Sequence, residues 1–345
     1  MRTTIEEVLE AAGIRGGERP VEVLRDGFPS YVIRVSTTTF SGCPTVIMKA
    51  CPHSSREPDI LLCLDRAGFS VPNILDVRQG EGFRVVIMED IGTDALHKHR
   101  DPEWYMRAVQ EIAKIHKRFD LSMSDVVAPE RMPAISGFPA GLAAILPRYD
   151  LDKWTGAVRE AVDGTVQRLK DGTYRGFTPA EIDALVSVLG SLATDTLSAL
   201  GDRQESYKRQ SSATEPSAQT LVHGDFHDGN VLVRSSPDRA ICQFAFVDWD
   251  SARLDSGFFD LVSLYDVAER METCRLDPET MIATYLDARW PDGERPDASV
   301  AETEWQRCRM LRAWDELRWF STTGDDFGDR VRREVGIMRR TLSAS

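Results

Sequence analysis

The sequence predicts an α+β protein with two lobes, a small one built on an antiparallel sheet and a larger, mostly helical one. Runs of apolar and β-branched residues, separated by turn residues, follow one another as far as Glu89. Beyond Gly92, apolar residues recur instead at helical spacing. A chain of 345 residues is long enough for two such lobes, with most of the apolar surface buried.

The small lobe is predicted to begin with a short helix and to continue as hairpins around one main helix. Thr4 and Glu7 have the spacing of a capping box, and Gly13 is a typical helix stop. The segment 58–67 repeats its apolar residues at helical spacing, begins with proline and precedes Gly68. Strands are predicted at 21–24, 31–35, 45–50, 73–77 and 84–89.

The larger lobe is predicted to consist of helices interrupted by one strand pair. The two strands, 232–233 and 241–247, flank a turn at 235–238. The segment 201–220 is polar and without periodicity, which predicts a mobile loop or a disordered insertion. Helices are predicted at 102–119, 157–169, 179–200, 258–272, 278–288 and 301–320.

Composition and charge argue against several classes of function. The formal net charge of -13 disfavours nucleic acid as a partner, because a protein that binds phosphate backbones needs a basic face. The segment 1–13 lacks the apolar core of a secretory signal, and apolar stretches such as 140–146 are too short to span a bilayer. The 6 cysteines include no CxxC pair, which fits neither a disulfide framework nor a zinc site. We therefore expect a cytoplasmic protein with no membrane partner.

A polar loop at 223–230, His-Gly-Asp-Phe-His-Asp-Gly-Asn, separates two apolar segments. Phosphoryl transfer needs a carboxylate near the attacking hydroxyl and an oxygen ligand that holds a metal on the nucleotide phosphates. Asp225 and Asn230 fit these roles, and their separation of five residues is that of the catalytic loop of protein kinases. A second metal-binding carboxylate is expected at the end of a following strand, where Asp248 stands.

These motifs resemble those of the aminoglycoside phosphotransferase and choline kinase family, and the resemblance covers most of the chain. It implies a protein-kinase-like fold and a kinase that binds ATP or GTP with Mg²⁺ between two lobes. Residues 1–92 would form the nucleotide-binding lobe, ending in the hinge, and residues 93–345 the helical lobe with the acceptor site. Further matching segments are 46–49, the helix that starts at Glu57 and ends before Val71 and Pro72, 86–89, 115–116 and 260–261.

The resemblance also implies how the nucleotide is bound. Lys49 would bond the α- and β-phosphates, and Glu57 would hold Lys49, with Asp59 as a competitor for that pairing. A lysine on an apolar strand is costly to bury without a charged partner, which favours such a role. The other implied nucleotide-binding residues are Met88, Glu89 and Ile91 at the hinge and Ser30 in the segment 27–30, which would cover the phosphates.

In the helical lobe, the family implies Asp225 as the catalytic residue. Asn230 and Asp248 would be the Mg²⁺ ligands. His223 and Asp260 are expected to brace the catalytic loop, the latter by binding backbone N–H groups from a helix N-terminus.

Two other functions compete with this interpretation. The histidines and aspartates at 223–228 crowd together as metal ligands do, which would suit a metallohydrolase, but no histidine follows His227 to complete a distal ligand set. A pseudokinase-like binding module is the non-enzyme alternative. The presence of Lys49, Asp225, Asn230 and Asp248 argues against it.

The acceptor is the least defined part of the prediction. Between 250 and 329, acidic residues outnumber arginines and lysine is absent, which indicates either a cationic acceptor or a solvated acidic surface. Asp315 and Glu316, on the helix predicted at 301–320, are the candidate acceptor-binding residues. We expect an antibiotic of the aminoglycoside, peptide or nucleoside type as the hydroxyl acceptor, with a metabolite such as choline, a sugar or homoserine as the alternative.

Overall fold

The computed structural model describes residues 4–14, 21–26, 30–37, 40, 43–120, 146–209, 219–234, 244–291, 295–323 and 325–344. The N-terminal part is a five-stranded sheet in the order β1-β2-β3-β5-β4, in which every neighbouring pair is antiparallel. The predicted hairpin lobe is therefore confirmed. Its strands are β1 (Val21–Arg25), β2 (Tyr31–Ser36), β3 (Thr45–Pro52), β4 (Ile74–Gln79) and β5 (Phe83–Glu89).

Two helices cover opposite faces of this sheet. The helix α1 (Ile5–Ala11) begins with the predicted capping box at Thr4 and packs on one face, with Met48 of β3. The helix α2 (Glu57–Arg66) packs on the other face, with Val86 of β5. Because successive side chains of a strand point to opposite faces, Lys49, which is paired with Val86 across β3 and β5, points toward α2.

The C-terminal part is mostly helical, as predicted, and α8 lies at its centre, in contact with α4, α6 and α9. Two short antiparallel strand pairs, β6 with β9 and β7 with β8, carry the loops of the site. The helices are α3 (Pro102–Arg118), α4 (Leu151–Lys170), α5 (Pro179–Arg209), α6 (Phe258–Met271), α7 (Pro278–Arg289), α8 (Ala298–Thr322) and α9 (Gly328–Ala344). The strands are β6 (Gln219–Val222), β7 (Val231–Val233), β8 (Phe244–Phe246) and β9 (Arg253–Ser256).

The segment 201–220 departs from the prediction of a loop. The helix α5 continues to Arg209, and Gln219 already belongs to β6. Residues with good helix propensity, such as glutamine, glutamate, lysine and arginine, can prolong a helix without an apolar stripe, so the missing periodicity did not indicate a loop. Residues 210–218, and the turn predicted at 235–238, lie outside the described residues.

Three elements were not predicted, and one of them is β6, the partner of β9. The strand β9 is buried along its whole length although it carries Arg253 and Asp255. Because these charged residues interrupt the apolar run that usually marks a buried strand, its sequence did not indicate one. The helix α9 is rich in arginine, although its buried Val331, Val335 and Met338 do follow a helical repeat.

The helix α5 is also more apolar than expected. Its segment Pro179–Gly201, with a mean hydropathy of 1.4, is long and apolar enough to cross a membrane by length and composition. The sequence-based expectation that apolar stretches are too short does not hold for this segment. In the structure Leu189 and Leu192 pack against Trp314 of α8 in a hydrophobic core.

Candidate active site

Lys49 forms ion pairs with two carboxylates. Its Nζ lies 2.6 Å from Oε2 of Glu57 and 2.6 Å from Oδ1 of Asp248. Burial alone would lower the pKa of Lys49, but the two carboxylates outweigh this effect and raise it, so the ammonium stays charged. Asp59, the competing partner, pairs instead with Arg84 at 3.0 Å. The structure therefore places Glu57 in the position that the resemblance implied.

Asp248 is held in an unusual backbone conformation. Its φ of 67° and ψ of 58° lie in the left-handed region, which is uncommon for a residue other than glycine. Its second carboxylate oxygen faces Nη1 of Arg25 at 3.1 Å. Burial would raise the pKa of Asp248, but Lys49 and Arg25 outweigh it and lower the pKa. A carboxylate that stays ionised in this way is suited to bind a metal cation.

Glu57 also holds the segment that follows Asp248. Its Oε1 accepts a hydrogen bond of 3.1 Å from the backbone N–H of Trp249. The indole of Trp249 is buried and donates to the carbonyl of Phe246 at 3.0 Å. One buried carboxylate on α2 thus positions both Lys49 and the chain around Asp248.

Asp260, in the first turn of α6, fixes the start of the catalytic loop. Its two oxygens accept the backbone N–H groups of His223 at 2.7 Å and Gly224 at 2.9 Å, and one also contacts Nε2 of His116 at 3.1 Å. Burial would raise the pKa of Asp260, but the hydrogen bonds from His116 and the backbone lower it. This is the bracing arrangement expected for Asp260.

His223 connects the catalytic loop to the residue before Asp248. Its Nδ1 accepts the N–H of Asp225 at 3.3 Å, so Nε2 carries the proton and donates to the carbonyl of Val247 at 2.9 Å. The ring is fully buried. His223 therefore holds the catalytic loop against the segment that follows β8.

The loop also depends on a close backbone contact. Gly224 has a φ of 81°, and a Cβ at this position would lie 2.2 Å from the carbonyl oxygen of Ser251, so only glycine fits. At the other end of the loop, Nδ2 of Asn230 donates to the carbonyl of Asp225 at 3.0 Å. This hydrogen bond uses the amide nitrogen of Asn230, so its Oδ1 is the atom that could bind a metal.

A cavity of about 360 Å³ lies beside Lys49 and Asp248, and we call it the nucleotide cavity after the ligand that the resemblance implies. Glu57 and Asn230 complete its polar wall, and the predicted hinge residues Met88, Glu89 and Ile91 line it as well. Ser30 is buried and does not line this cavity, and 27–29 lie outside the described residues, so a contact of Ser30 with phosphate stays a prediction. The apolar lining consists of Leu24, Val32, Ile47, Leu61, Pro72, Met88, Ile91, Leu232 and Val247.

The donor set of this cavity fits Mg²⁺ bound together with a nucleotide. Mg²⁺ is usually held by one or two protein oxygens, with phosphates and water completing the shell. Asn230 and Asp248 offer two such oxygens on one cavity wall. Among the described residues, no group of three or more histidines, cysteines, aspartates or glutamates could bind a metal without such help.

The residues that suggested a metallohydrolase do not converge on one point. Nε2 of His223 is occupied by the carbonyl of Val247. The carboxylate of Asp228 accepts hydrogen bonds from Tyr105 at 3.1 Å and Thr273 at 2.7 Å, and it is buried. These contacts already occupy the two side chains, so neither is available to bind a metal together with the carboxylate of Asp225.

A second cavity, of about 770 Å³, lies on the other side of the catalytic loop, and we call it the acceptor cleft. It shares Arg25 and Gly229 with the nucleotide cavity. Asp225 lines the acceptor cleft with 40% of its side chain exposed, 3.7 Å from Nε2 of His227 and 3.6 Å from Nη2 of Arg312. Its carboxylate is therefore accessible to a hydroxyl group bound in the cleft.

The acceptor cleft is richer in positive than in negative side chains. Its wall contains 7 arginines and 5 acidic residues, although the whole chain is acidic. No sequence pattern indicates this group of arginines, because they come from segments far apart in the chain. The arginines are Arg25, Arg56, Arg253, Arg270, Arg312, Arg318 and Arg330.

Asp315 and Glu316 do line the acceptor cleft, but neither carboxylate is free. Asp315 lies 2.7 Å from Arg318 and 3.6 Å from Arg253. Glu316 lies 2.6 Å from Arg312. Because arginines already neutralise both carboxylates, the structure does not support the cation-binding role expected for them. The Arg312–Glu316 spacing of i,i+4 on one helix was the sequence pattern that could have indicated this pairing.

Solved structures with the same fold include kinases of different acceptors. A choline kinase from Cryptosporidium parvum Iowa II superposes with a TM-score of 0.61 at 11% identity, over 94% of this chain and 89% of that chain. The amicoumacin kinase hAmiN, solved with AMP-PNP, Ca²⁺ and Ami, gives 0.58 at 14% identity over 100% and 95%. A thermostable mutant of aminoglycoside phosphotransferase APH(4)-Ia, solved with AMP-PNP and hygromycin B, gives 0.51 at 12% identity over 99% and 97%.

The TM-scores show that the chain shares a protein-kinase-like fold with these enzymes. At such low sequence identities the likeness does not identify the acceptor. No curated sequence is significantly similar to this chain. The family model that describes the phosphotransferase enzyme family, APH, matches residues 20–311 and so includes Lys49, the catalytic loop and Asp248. On this match, the chain belongs to the phosphotransferase enzyme family and is a phosphotransferase that acts on hydroxyl groups.

Proposed function

We propose that the protein transfers the γ-phosphoryl group of ATP or GTP, in a Mg²⁺-dependent reaction, to a hydroxyl group of an antibiotic. The observation that carries this proposal is the meeting of the two cavities at Gly229 and Arg25. Lys49, Asn230 and Asp248 stand on the nucleotide side of that junction, and Asp225 stands on the acceptor side. A γ-phosphate at the junction is within reach of a hydroxyl held by Asp225.

In this reaction the acceptor oxygen forms a bond to the γ-phosphorus while the bond from that phosphorus to the bridging oxygen breaks, and ADP or GDP leaves. Asp225 orients the hydroxyl and takes its proton as the new bond forms. Lys49 binds the α- and β-phosphates and is kept in place by Glu57. Mg²⁺, held by Asn230 and Asp248, would neutralise charge on the phosphates.

The size of the acceptor cleft supports a large acceptor. A volume of about 770 Å³ is in the range of sites for drug-sized ligands and far exceeds what choline needs. Antibiotics of the aminoglycoside, peptide or nucleoside type have the size and the hydroxyl groups that such a cleft accommodates. A metabolite kinase for choline, a sugar or homoserine remains the alternative function.

A coupled assay of nucleotide consumption tests this function. Purified protein with Mg²⁺ and ATP or GTP is screened against hydroxylated antibiotics and, in parallel, against choline, sugars and homoserine. We expect rapid ADP or GDP formation with at least one antibiotic, and about 10²- to 10⁴-fold slower formation from Asp225→Asn with the same compound. Turnover with a small metabolite alone would establish the alternative, and failure to bind either nucleotide would contradict the proposal as a whole.

A further inference from the structure

Two arginines of the acceptor cleft, Arg312 and Arg270, share the carboxylate of Glu316, and a third, Arg330, stands in the same wall. Glu316 of α8 lies 2.6 Å from Arg312 and 3.8 Å from Arg270. Arg330 of α9 is exposed in the same wall, and no carboxylate of the described residues lies within ion-pair distance of it. Asp225 is a further carboxylate 3.6 Å from Arg312, but over the whole wall of the cleft 7 arginines face 5 acidic residues, so positive charge is in excess.

Arg270 lacks the partners that a partly buried guanidinium needs. Its contact with Glu316 at 3.8 Å is too long for a hydrogen bond, and its Nε is buried without a hydrogen-bond partner among the described residues. Burial lowers the pKa of Arg270, and repulsion from Arg330, Arg333 and Arg312 lowers it further, against the opposing effect of Glu316. A ligand that supplies negative charge would relieve this repulsion.

Arg253 shows the same deficit independently, at another point of the wall. Its side chain is almost fully buried, with the guanidinium 4.2 Å from the ring centre of Tyr149 and 4.1 Å from that of Phe259. Its Nε contacts Asp255 at 3.3 Å, but its Nη2 is buried without a hydrogen-bond partner in the described part of the chain. A buried donor without a partner is costly, so an acceptor oxygen of a ligand would stabilise it.

The wall also presents apolar surface beside these charges. Trp319 of α8 is 51% exposed and Met271, which follows Arg270, is 59% exposed. Arg312, Glu316 and Trp319 follow one another at i, i+4 and i+7, which places them on one helix face. With a rise of 1.5 Å per residue, Trp319 lies about 10 Å along the helix from Arg312 and the catalytic carboxylate beside it.

We propose that the acceptor carries an anionic group, a carboxylate or a phosphate, that binds Arg270 and Arg330 while the reacting hydroxyl lies at Asp225. An apolar part of the same molecule packs on Trp319 and Met271. The acidic surface elsewhere does not oppose this binding, because charges more than about 10 Å away are largely screened at physiological salt. This inference rests on the proposed phosphoryl transfer and names the class of acceptor.

A series of primary alcohols of one chain length isolates the charge. 6-Hydroxyhexanoate, 1,6-hexanediol and 6-aminohexan-1-ol differ only in the far end, which is anionic, neutral or cationic, and 6-hydroxyhexyl phosphate compares phosphate with carboxylate. We measure binding by ligand-observed NMR to protein saturated with Mg²⁺ and AMP-PNP, and transfer by ADP formation with Mg²⁺ and ATP. An anionic member should bind about tenfold or more tightly than the amino alcohol, the scale of one charge-assisted hydrogen bond.

The variant Arg270→Gln with Arg330→Gln should abolish this preference and leave nucleotide affinity unchanged. Arg330→Gln alone, at an exposed position, should reduce the preference and serves if the double variant does not fold. Arg159→Gln removes a charge from an exposed position on α4 and should retain the preference.

The outcomes separate this inference from the proposed function. Equal or better binding of the diol or the amino alcohol, or a preference that survives in the arginine variants, would overturn the inference even if the protein phosphorylates another acceptor. If the wild-type protein does not bind Mg²⁺–AMP-PNP at all, the proposed function itself is rejected. A preference for 6-hydroxyhexyl phosphate over 6-hydroxyhexanoate assigns phosphate as the anionic group, and the reverse order assigns carboxylate.

Discussion

The nucleotide cavity and the acceptor cleft meet at Gly229 but are built in opposite ways. Apolar residues from the sheet and from neighbouring segments line much of the nucleotide cavity, and Lys49 forms ion pairs there with Glu57 and Asp248. The acceptor cleft is lined by arginines and carboxylates from β9, α6, α8 and α9. The charges of the first site thus centre on the ion pairs of one lysine, whereas those of the second come from several separate strands and helices.

Asp225→Asn should reduce phosphoryl transfer and leave nucleotide binding unchanged. The amide cannot take the proton of the hydroxyl, so we expect turnover to fall by about 10²- to 10⁴-fold, the range for a positioned general base. The dissociation constant of Mg²⁺–ATP should stay unchanged, because Asp225 does not line the nucleotide cavity. Turnover is measured by ADP release and affinity by calorimetry, with Asp183→Asn on the exposed face of α5 as the control. Wild-type turnover in Asp225→Asn would remove Asp225 from the mechanism.

Asp248→Ala should weaken Mg²⁺-dependent binding of the nucleotide. Without this carboxylate only Asn230 remains as a protein ligand, so we expect Mg²⁺-dependent nucleotide affinity to fall by on the order of 10- to 100-fold. Titration of Mg²⁺ at fixed ATP measures the effect. Asp250→Ala is the matched control, since Asp250 lies two residues on, accepts a hydrogen bond from Ser55 at 2.7 Å and does not line the nucleotide cavity. An equal loss in both variants would argue against a specific metal ligand at Asp248.

Glu316→Gln should sharpen the charge difference between the two cavities. Removal of the carboxylate between Arg312 and Arg270 increases the positive charge of the acceptor cleft. We therefore expect 6-hydroxyhexanoate to bind about threefold more tightly, a scale typical of a partly exposed ion pair. NMR titration in the presence of Mg²⁺–AMP-PNP measures this change. Weaker binding of the hydroxy acid would mean that Glu316 serves to orient the arginines rather than to neutralise them.

The smallest effect concerns the charges beneath the acceptor cleft. Burial raises the pKa of Glu334 on α9 to about 7, with Glu316 and Asp266 adding to the rise and Arg333 and Arg312 opposing it. Between the ordinary value of 4.5 and about 7, the folded protein therefore binds more protons than the unfolded chain. Consequently the contribution of Glu334 to stability falls as pH rises through this window, and the loss is complete above about 7.

Glu334→Gln, which is neutral at every pH, should remove this loss. We expect the Tm of the variant relative to the wild type to rise by roughly a few degrees between pH 5 and pH 8. Thermal unfolding at several pH values measures the difference. Asp329→Asn, a fully exposed carboxylate on the same helix, should show no such trend. A constant difference between Glu334→Gln and the wild type at pH 5 and pH 8 would contradict the raised pKa.

Elements with local causes could be predicted from the amino-acid sequence. Hairpins, caps and helical repeats predicted the sheet, α1, α2 and most helices, because these patterns depend on residues a few positions apart. The spacing of Asp225 and Asn230 and the strand-end position of Asp248 indicated phosphoryl transfer for the same reason. Charged β9 and arginine-rich α9 were missed, since their buried positions are created by packing against distant parts of the chain.

Which charged side chains pair with each other became known only from the folded arrangement of the chain. The choice between Glu57 and Asp59 as the partner of Lys49 depended on the angle at which α2 docks on the sheet. The acidic balance along 250–329 suggested a cationic acceptor, but folding brings Arg253, Arg270 and Arg330 into the same wall as Asp315 and Glu316. Because Coulomb interactions depend on distance in space, counting charges along the chain could not show that the acceptor cleft is rich in arginine.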